Sequence, residues 1–215
     1  MEVTHDNGSV RAGRAIVAVP PTLAGRIRYS PALPPLRDQL TQQVPMGYVI
    51  KVQIAYPEPF WRAEGLSGSV FSLDDEVSVI FDNSPSDLGC GVLLGFLEGR
   101  HARRAGKLPP EQRKELVLSA LAKFFGPRAA EPDEYVEKDW AAEEWSRGCY
   151  VGYTPPGVLT AYGPAIRAPI GPIHWAGTET ATVWNGYMDG AIQSGERAAR
   201  EALAAIAPTV EPVPA

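Results

Sequence analysis

The chain has 215 residues, 45% of them hydrophobic, and its 20 Lys and Arg against 25 Asp and Glu leave a formal net charge of -5. That length allows one large domain or parts of two with a real core, and an acidic chain without a basic cluster is not built to neutralise nucleic-acid phosphates. The longest apolar run, around Gly91 to Leu97, falls far short of the roughly 20 residues that span a bilayer, so no membrane partner is expected.

Two cysteines, Cys90 and Cys149, make neither a disulfide framework nor a metal site of usual spacing, which suits a soluble protein of the reducing cytoplasm. His5, His101 and His174 are scattered, so no metal is expected. The 21 glycines and 21 prolines sit at element boundaries and read as many turns.

In chain order, Arg14 to Val19 predicts an apolar strand stopped by Pro20-Pro21, and Ile27 to Ser30 a second short one. A helix is predicted from Leu36 to Gln43, then a long alternating strand from Gly47 to Tyr56. Tyr48, Ile50, Val52 and Ile54 share one face of that strand; Val49, Lys51, Gln53 and Ala55 share the other. Lys51 thus sits mid-strand, where an ammonium group needs a partner. Further strands are predicted at Gly68 to Leu73, Val77 to Asp82 and Gly91 to Glu98, giving a mostly antiparallel sheet.

A helix from Pro110 to Phe125 follows, with Leu116, Leu118, Ala120, Leu121 and Phe124 expected on its buried side and Gly126-Pro127 stopping it. Glu134 to Trp140 reads as extended, Val158 to Tyr162 as a short helix and Ile173 as part of a strand. The final helix, Tyr187 to Ile206, carries Met188, Ile192, Gly195, Ala199, Leu203 and Ile206 on one stripe, and Pro208 ends it. Residues 208–215 read as a flexible tail, and the fold class as α+β (mixed α/β).

The most informative stretch is HWAGTETATVWNGYMDGAIQSGERAAREAL, from His174 to Leu203. A strand ending at Trp175, a turn of small and hydroxyl residues and a bend at Gly186 lead into a helix at Tyr187. Gly177, Gly186 and Gly190 let the backbone come close to something bulky, and unpaired amides at the helix start would face it. Such a pattern docks a flat anionic cofactor.

That stretch, with GCYVGYTPPGVLTAYG at Gly148 to Gly163, resembles the C-terminal portion of the flavin-containing monoamine oxidase family. The resemblance continues through AIVAVPPTLAGRI at Ala15, VPMGYVIKVQIAYPEPFWR at Val44 and LLGFLEG at Leu93, and blocks in one order weigh more than any single motif. It implies a partial FAD-linked amine oxidase fold. Residues 1–43 would be part of an FAD-binding domain, 44–143 the substrate-binding domain, and 144–207 the returning end of the FAD domain. The G-x-G-x-x-G turn by which the family takes adenosine is not found, since Gly47, Gly65, Gly89 and Gly91 stand in other contexts. A truncated or partial chain is therefore expected, with a separate chain as one source of the dinucleotide-binding half.

The same resemblance implies roles. Cys149 matches the cysteine that covalent members bond to the flavin, although a lone cysteine is more often a small buried hydrophobe. Tyr150 and Tyr187 match the paired aromatics that sandwich the amine, and Lys51 the lysine that holds a water near flavin N5. Trp140, nine residues before Cys149, matches a tryptophan packed near the flavin, and Phe96 a pocket aromatic. Gly177, Thr178 and Glu179 would approach the ribityl-pyrophosphate region, with Gly186 and the Met188 amide at the helix start facing the ring. The implied reaction is FAD-dependent oxidation of a primary amine to an aldehyde, with dioxygen reduced to hydrogen peroxide. The rival readings are a catalytically silent remnant that binds no flavin, and a polyamine or amino-acid oxidase relative. The Cys149 and Tyr150 pair favours simple monoamines.

Overall fold

The computed structural model describes residues 1–206, and the tail expected over 208–215, with the Pro208 stop, lies outside the described residues. The chain divides into two compact units, Gly47–Tyr150 and a second made of Met1–Met46 with the chain from Val151 on.

The discontinuous unit opens with a hairpin of β1 (Glu2–His5) and β2 (Gly8–Arg11), paired antiparallel from His5 with Gly8 to Glu2 with Arg11. Every residue of both strands is exposed, so no hydrophobic alternation announces them. β3 (Ala15–Val17) is shorter than the expected Arg14 to Val19, and α1 (Pro21–Ala24) starts at once on a proline, which suits a first helical position because it needs no donor there. The expected strand over Ile27 to Ser30 does not form. The amides of Arg26 and Ile27 instead close turns on the carbonyls of Leu23 (3.0 Å) and Ala24 (3.2 Å), leaving no edge to pair. α2 (Pro35–Gln43) follows, with Leu40 buried.

The continuous unit is built on β4 (Val49–Tyr56), whose period of two buries Ile50, Val52, Ile54 and Tyr56 on one face. After α3 (Phe60–Ala63) come β5 (Val70–Phe71), β6 (Val79–Asp82) and β7 (Gly91–Glu98). β5 and β6 are shorter than expected because Ser72 Oγ accepts the amides of Asp74 (3.3 Å) and Asp75 (3.2 Å), turning the chain early. α4 (Gly99–Ala105), which the sequence reading did not anticipate, α5 (Pro110–Phe125) and β8 (Glu134–Asp139) complete the unit. The sheet runs β5-β6-β7-β4-β8, with antiparallel pairing throughout.

One core fills this unit, from Ile50, Ile54, Leu93 and Leu97 on the sheet to Val117, Leu121 and Phe125 on α5 and Trp61 on α3. The buried face of α5 is centred on Arg113, Val117, Ala120, Leu121 and Phe125. Leu116, Leu118 and Phe124, expected on the buried side, are half-buried flanks packed against this core. Arg113 can occupy the centre because its guanidinium pairs with Glu137 on β8 and donates to the carbonyls of Ala105 (3.3 Å) and Leu108 (3.1 Å).

The chain then re-enters the discontinuous unit through α6 (Val158–Tyr162), β9 (Ile173–Trp175) and α7 (Met188–Ile206). β9 pairs parallel with β3, Ala15 against Ile173 and Val17 against Trp175. α7 buries Gly190, Ser194, Ala198 and Ala202, one small residue every fourth position. Four large residues of the expected apolar stripe face outward: Met188, Ile192, Leu203 and Ile206 are 60 to 81% exposed. Small side chains win the inner face because the helix lies so close that a Cβ at Gly190 would come within 2.1 Å of the Trp184 carbonyl oxygen. This unit's core is small, centred on Leu40, Val44, Val158, Ala165 and Ile166.

Candidate functional site

On the face of β4 opposite the core, Lys51 stands in register with Phe96 of β7, and Glu98 closes the same face of β7 two residues on. Past β8, the Trp140 amide reaches the Val49 carbonyl (3.3 Å), and the Cys149 amide donates to the Gly47 carbonyl (2.9 Å). Gly47 permits that return, since a Cβ there would lie 2.3 Å from the Cys149 carbonyl oxygen. The Cys149-Tyr150 peptide is cis.

The result is an ammonium ringed by aromatic faces. Lys51 Nζ lies 5.0 Å from the ring centre of Tyr150, 5.5 Å from Phe96 and 5.9 Å from Trp140, distances at which a cation is held by the ring quadrupole. Tyr150 and Phe96 meet at 5.8 Å, and the Tyr150 hydroxyl donates to Glu98 Oε1 at 2.8 Å. Burial, then the bond and charge of Glu98, push the Tyr150 phenol well above its ordinary range. Burial also raises the Cys149 thiol, with the charge of Lys51 pulling the other way. Trp140 Nε1 is buried with no acceptor among the described residues.

In the discontinuous unit, β9 runs into Gly177, whose φ of +105° a side chain would oppose, and then a single 3-10 turn, Thr178–Thr180. Thr178 Oγ1 ties both sides of the next bend, accepting from the Gly186 amide (2.7 Å) and donating to the Tyr187 carbonyl (3.0 Å). Tyr187 and Met188 are 64% and 81% exposed at the start of α7. The Tyr187 carbonyl accepts the Ala191 amide (3.1 Å), so the amides of Met188 to Gly190 precede the first helical hydrogen bond and carry the positive end of the helix dipole. Glu179 is buried, and its Oε1 accepts the Gly152 amide (2.7 Å), fixing the backbone just past Tyr150.

Of the residues singled out in the sequence, Lys51, Phe96, Trp140, Cys149 and Tyr150 thus gather in one unit, and Gly177, Thr178, Glu179, Gly186, Tyr187 and Met188 in the other. Sequence reasoning missed Glu98 and Gly47. The alternation that places Phe96 opposite Lys51 also places Glu98, so the signal was present. Each group suits a flavin. The first offers a thiol, an ammonium, aromatic faces and an unpaired indole N–H; the second offers a glycine turn and free amides at a helix start. Among the described residues no cluster of three or more metal-binding side chains occurs, and no helix is long and apolar enough to cross a membrane.

The sequence model of the flavin containing amine oxidoreductase family matches residues 1–203. The chain belongs to this family. Among flavin amine oxidoreductases, it is 50% identical over 200 residues to "Probable flavin-containing monoamine oxidase A" of Dictyostelium discoideum, covering 93% of this chain and 44% of that protein. It is 46% identical to an L-amino acid dehydrogenase of Synechocystis, covering 93% of this chain and 42% of the relative. A solved structure of a putrescine oxidase triple mutant with redesigned cofactor binding superposes with a TM-score of 0.91 at 40% identity, over 95% of this chain and 46% of the other. The chain therefore spans less than half the length of these relatives. The mixed helix-and-sheet architecture with an antiparallel sheet is the expected partial amine oxidase fold.

Proposed function

We propose that this chain is part of an FAD-dependent oxidase that converts a primary monoamine to an aldehyde while dioxygen becomes hydrogen peroxide. The observation that supports it most is the gathering of Lys51, Phe96, Trp140, Cys149 and Tyr150 on one side of a single sheet. In this reading residues 47–150 bind substrate, and the other unit contributes to holding FAD. The adenosine end would be held by protein outside these 215 residues, which span less than half the length of the relatives.

Bound flavin would supply the acceptor for the hydride equivalent leaving the carbon next to nitrogen. Lys51 holds a water where negative charge develops. Tyr150 and Tyr187 each offer an electron-rich face to the amine, and Phe96 borders its apolar part. Gly177, Thr178, Glu179 and Gly186 would shape the turn that holds the ribityl-pyrophosphate, and the Met188 amide at the helix start would favour negative charge on the bound ring. Trp140 packs beside the ring. Cys149 would be the residue that holds the flavin covalently through its Sγ. Because an amine reacts only after losing its proton, turnover is expected to rise with pH to a plateau.

The test is to purify the chain with FAD present, precipitate it with acid, and assay peroxide from a monoamine, a diamine and an L-amino acid. A yellow pellet that turns colourless in Cys149→Ala, with peroxide from the monoamine foremost, is the expected result. A colourless pellet with no peroxide, persisting when the adenosine-binding half is supplied, would favour the silent remnant instead. Peroxide from the diamine or the amino acid alone would move the chain towards the relatives of those names.

A further inference from the structure

We propose that Glu98 is the positioning residue for Tyr150, its carboxylate anchoring the phenol hydroxyl and so fixing the ring face that an amine meets. The inference rests on the reading above, in which Tyr150 offers that face to substrate.

Packing alone does not hold this ring. Tyr150 is 49% exposed, and its aromatic neighbour Phe96 is tilted against it at 50°. What fixes it is anchorage at both ends. The backbone end is tied through the neighbouring Cys149 amide to the Gly47 carbonyl, 2.9 Å away, and the hydroxyl end is tied to Glu98 Oε1 at 2.8 Å. Glu98 is itself held. It is the final residue of β7, paired opposite Val49 on β4, and its Oε2 accepts from Ser78 Oγ at 3.4 Å.

The bond has an electronic consequence as well as a geometric one. A phenol that donates to a carboxylate gains phenolate character, which enriches the ring and strengthens its attraction for positive charge. The charged and titratable groups that face Tyr150 are Glu98 on β7, Lys51 on β4 over the ring, and the adjoining Cys149 thiol. Glu98 is the one of these that touches the hydroxyl, so its removal should free the ring and lower the energy of the phenolate together.

The experiment uses the full chain labelled with 3-fluorotyrosine and followed by fluorine NMR through an alkaline titration. The resonance missing from Tyr150→Phe belongs to Tyr150. In Glu98→Gln that resonance is expected to sharpen and its ionisation to move down by about one pH unit or more, while Glu98→Asp, which keeps the carboxylate, retains most of the original behaviour. An ionisation unmoved in Glu98→Gln would overturn the proposal. Should Glu98→Gln fail to fold, Glu98→Ala takes its place, and an ionisation unmoved there overturns the idea. The titration needs neither flavin nor amine, so a silent peroxide assay leaves it readable. Where the chain does oxidise amines, Glu98→Gln is expected to lower kcat/KM about tenfold, as for the loss of roughly 1.4 kcal/mol, and an unchanged value would overturn the positioning role.

Discussion

The two units solve the same problem with unequal means. Residues 47–150 assemble a five-stranded sheet and lay α5 across it, so large side chains such as Trp61, Leu97 and Leu121 are wholly buried. The discontinuous unit has two separate two-stranded ladders and a small core, and its longest helix turns Met188, Ile192, Leu203 and Ile206 outward. A two-stranded parallel ladder is a poor foundation, because parallel strands are normally covered on both faces. Stability should therefore be concentrated in the continuous unit, while the other supplies backbone geometry.

The sharpest way to break this contrast is Trp61→Ala. Trp61 has no exposed surface and packs edge-on against Tyr56 and Phe60, so its truncation should cost roughly 3 to 5 kcal/mol in urea unfolding. Arg113→Ala should follow, at about 3 kcal/mol, because it strands Glu137 beside the core.

Asp82→Asn tests the same unit through pH. Burial raises the Asp82 carboxyl, but hydrogen bonds from Arg62, Ser84 and Trp61 outweigh it and hold the group below the usual carboxylate range. A depressed folded pKa contributes stability that is present above the unfolded value, about 3.9, and lost as pH falls through the folded one. The difference between the native chain and Asp82→Asn should thus be full at neutral pH and shrink progressively as thermal melts are taken below about pH 3.9. A constant difference would mean the charge is not what matters.

The smallest effect belongs to α7, where Ile192→Ala should change stability by no more than about 0.5 kcal/mol. A loss comparable with Trp61→Ala would show that the outward stripe is covered, and the contrast between the units would fail.

The continuous unit was also the more legible one. β4, β7 and α5 declare themselves because strict periodicity and burial coincide there, and only the rotation of α5 was misjudged, since a charged Arg113 does not look like a core residue. In the other unit the rules compete. β1 and β2 bury nothing, so no hydrophobic pattern announced them. Ile27 to Ser30 has strand-like residues but no partner edge. The inner face of α7 is chosen by closeness of approach, which favours Gly190 and Ser194 and is invisible to a count of apolar side chains.

The candidate site divides in a similar way. Residues carried by a motif, such as Cys149 and Tyr150, or by register, such as Lys51 and Phe96, were readable from the chain. Glu98 was placed on that face by the same register, but its role was not legible, because a carboxylate at a strand end looks like a solvated terminus until a hydroxyl from position 150 is set against it. Glu179 shows the converse: its motif was conspicuous, but that its carboxylate would hold the Gly152 amide depends on where the distant segment returns.

The pairing of Ala15–Val17 with Ile173–Trp175 has a temporal side. The whole of the continuous unit is synthesised before Ile173 is made, so it is complete in sequence while the opening segment still waits for its neighbour. Released chains truncated short of Ile173 should resist protease through 47–150 and be trimmed at their start, so that the order of synthesis lets one part mature before the other.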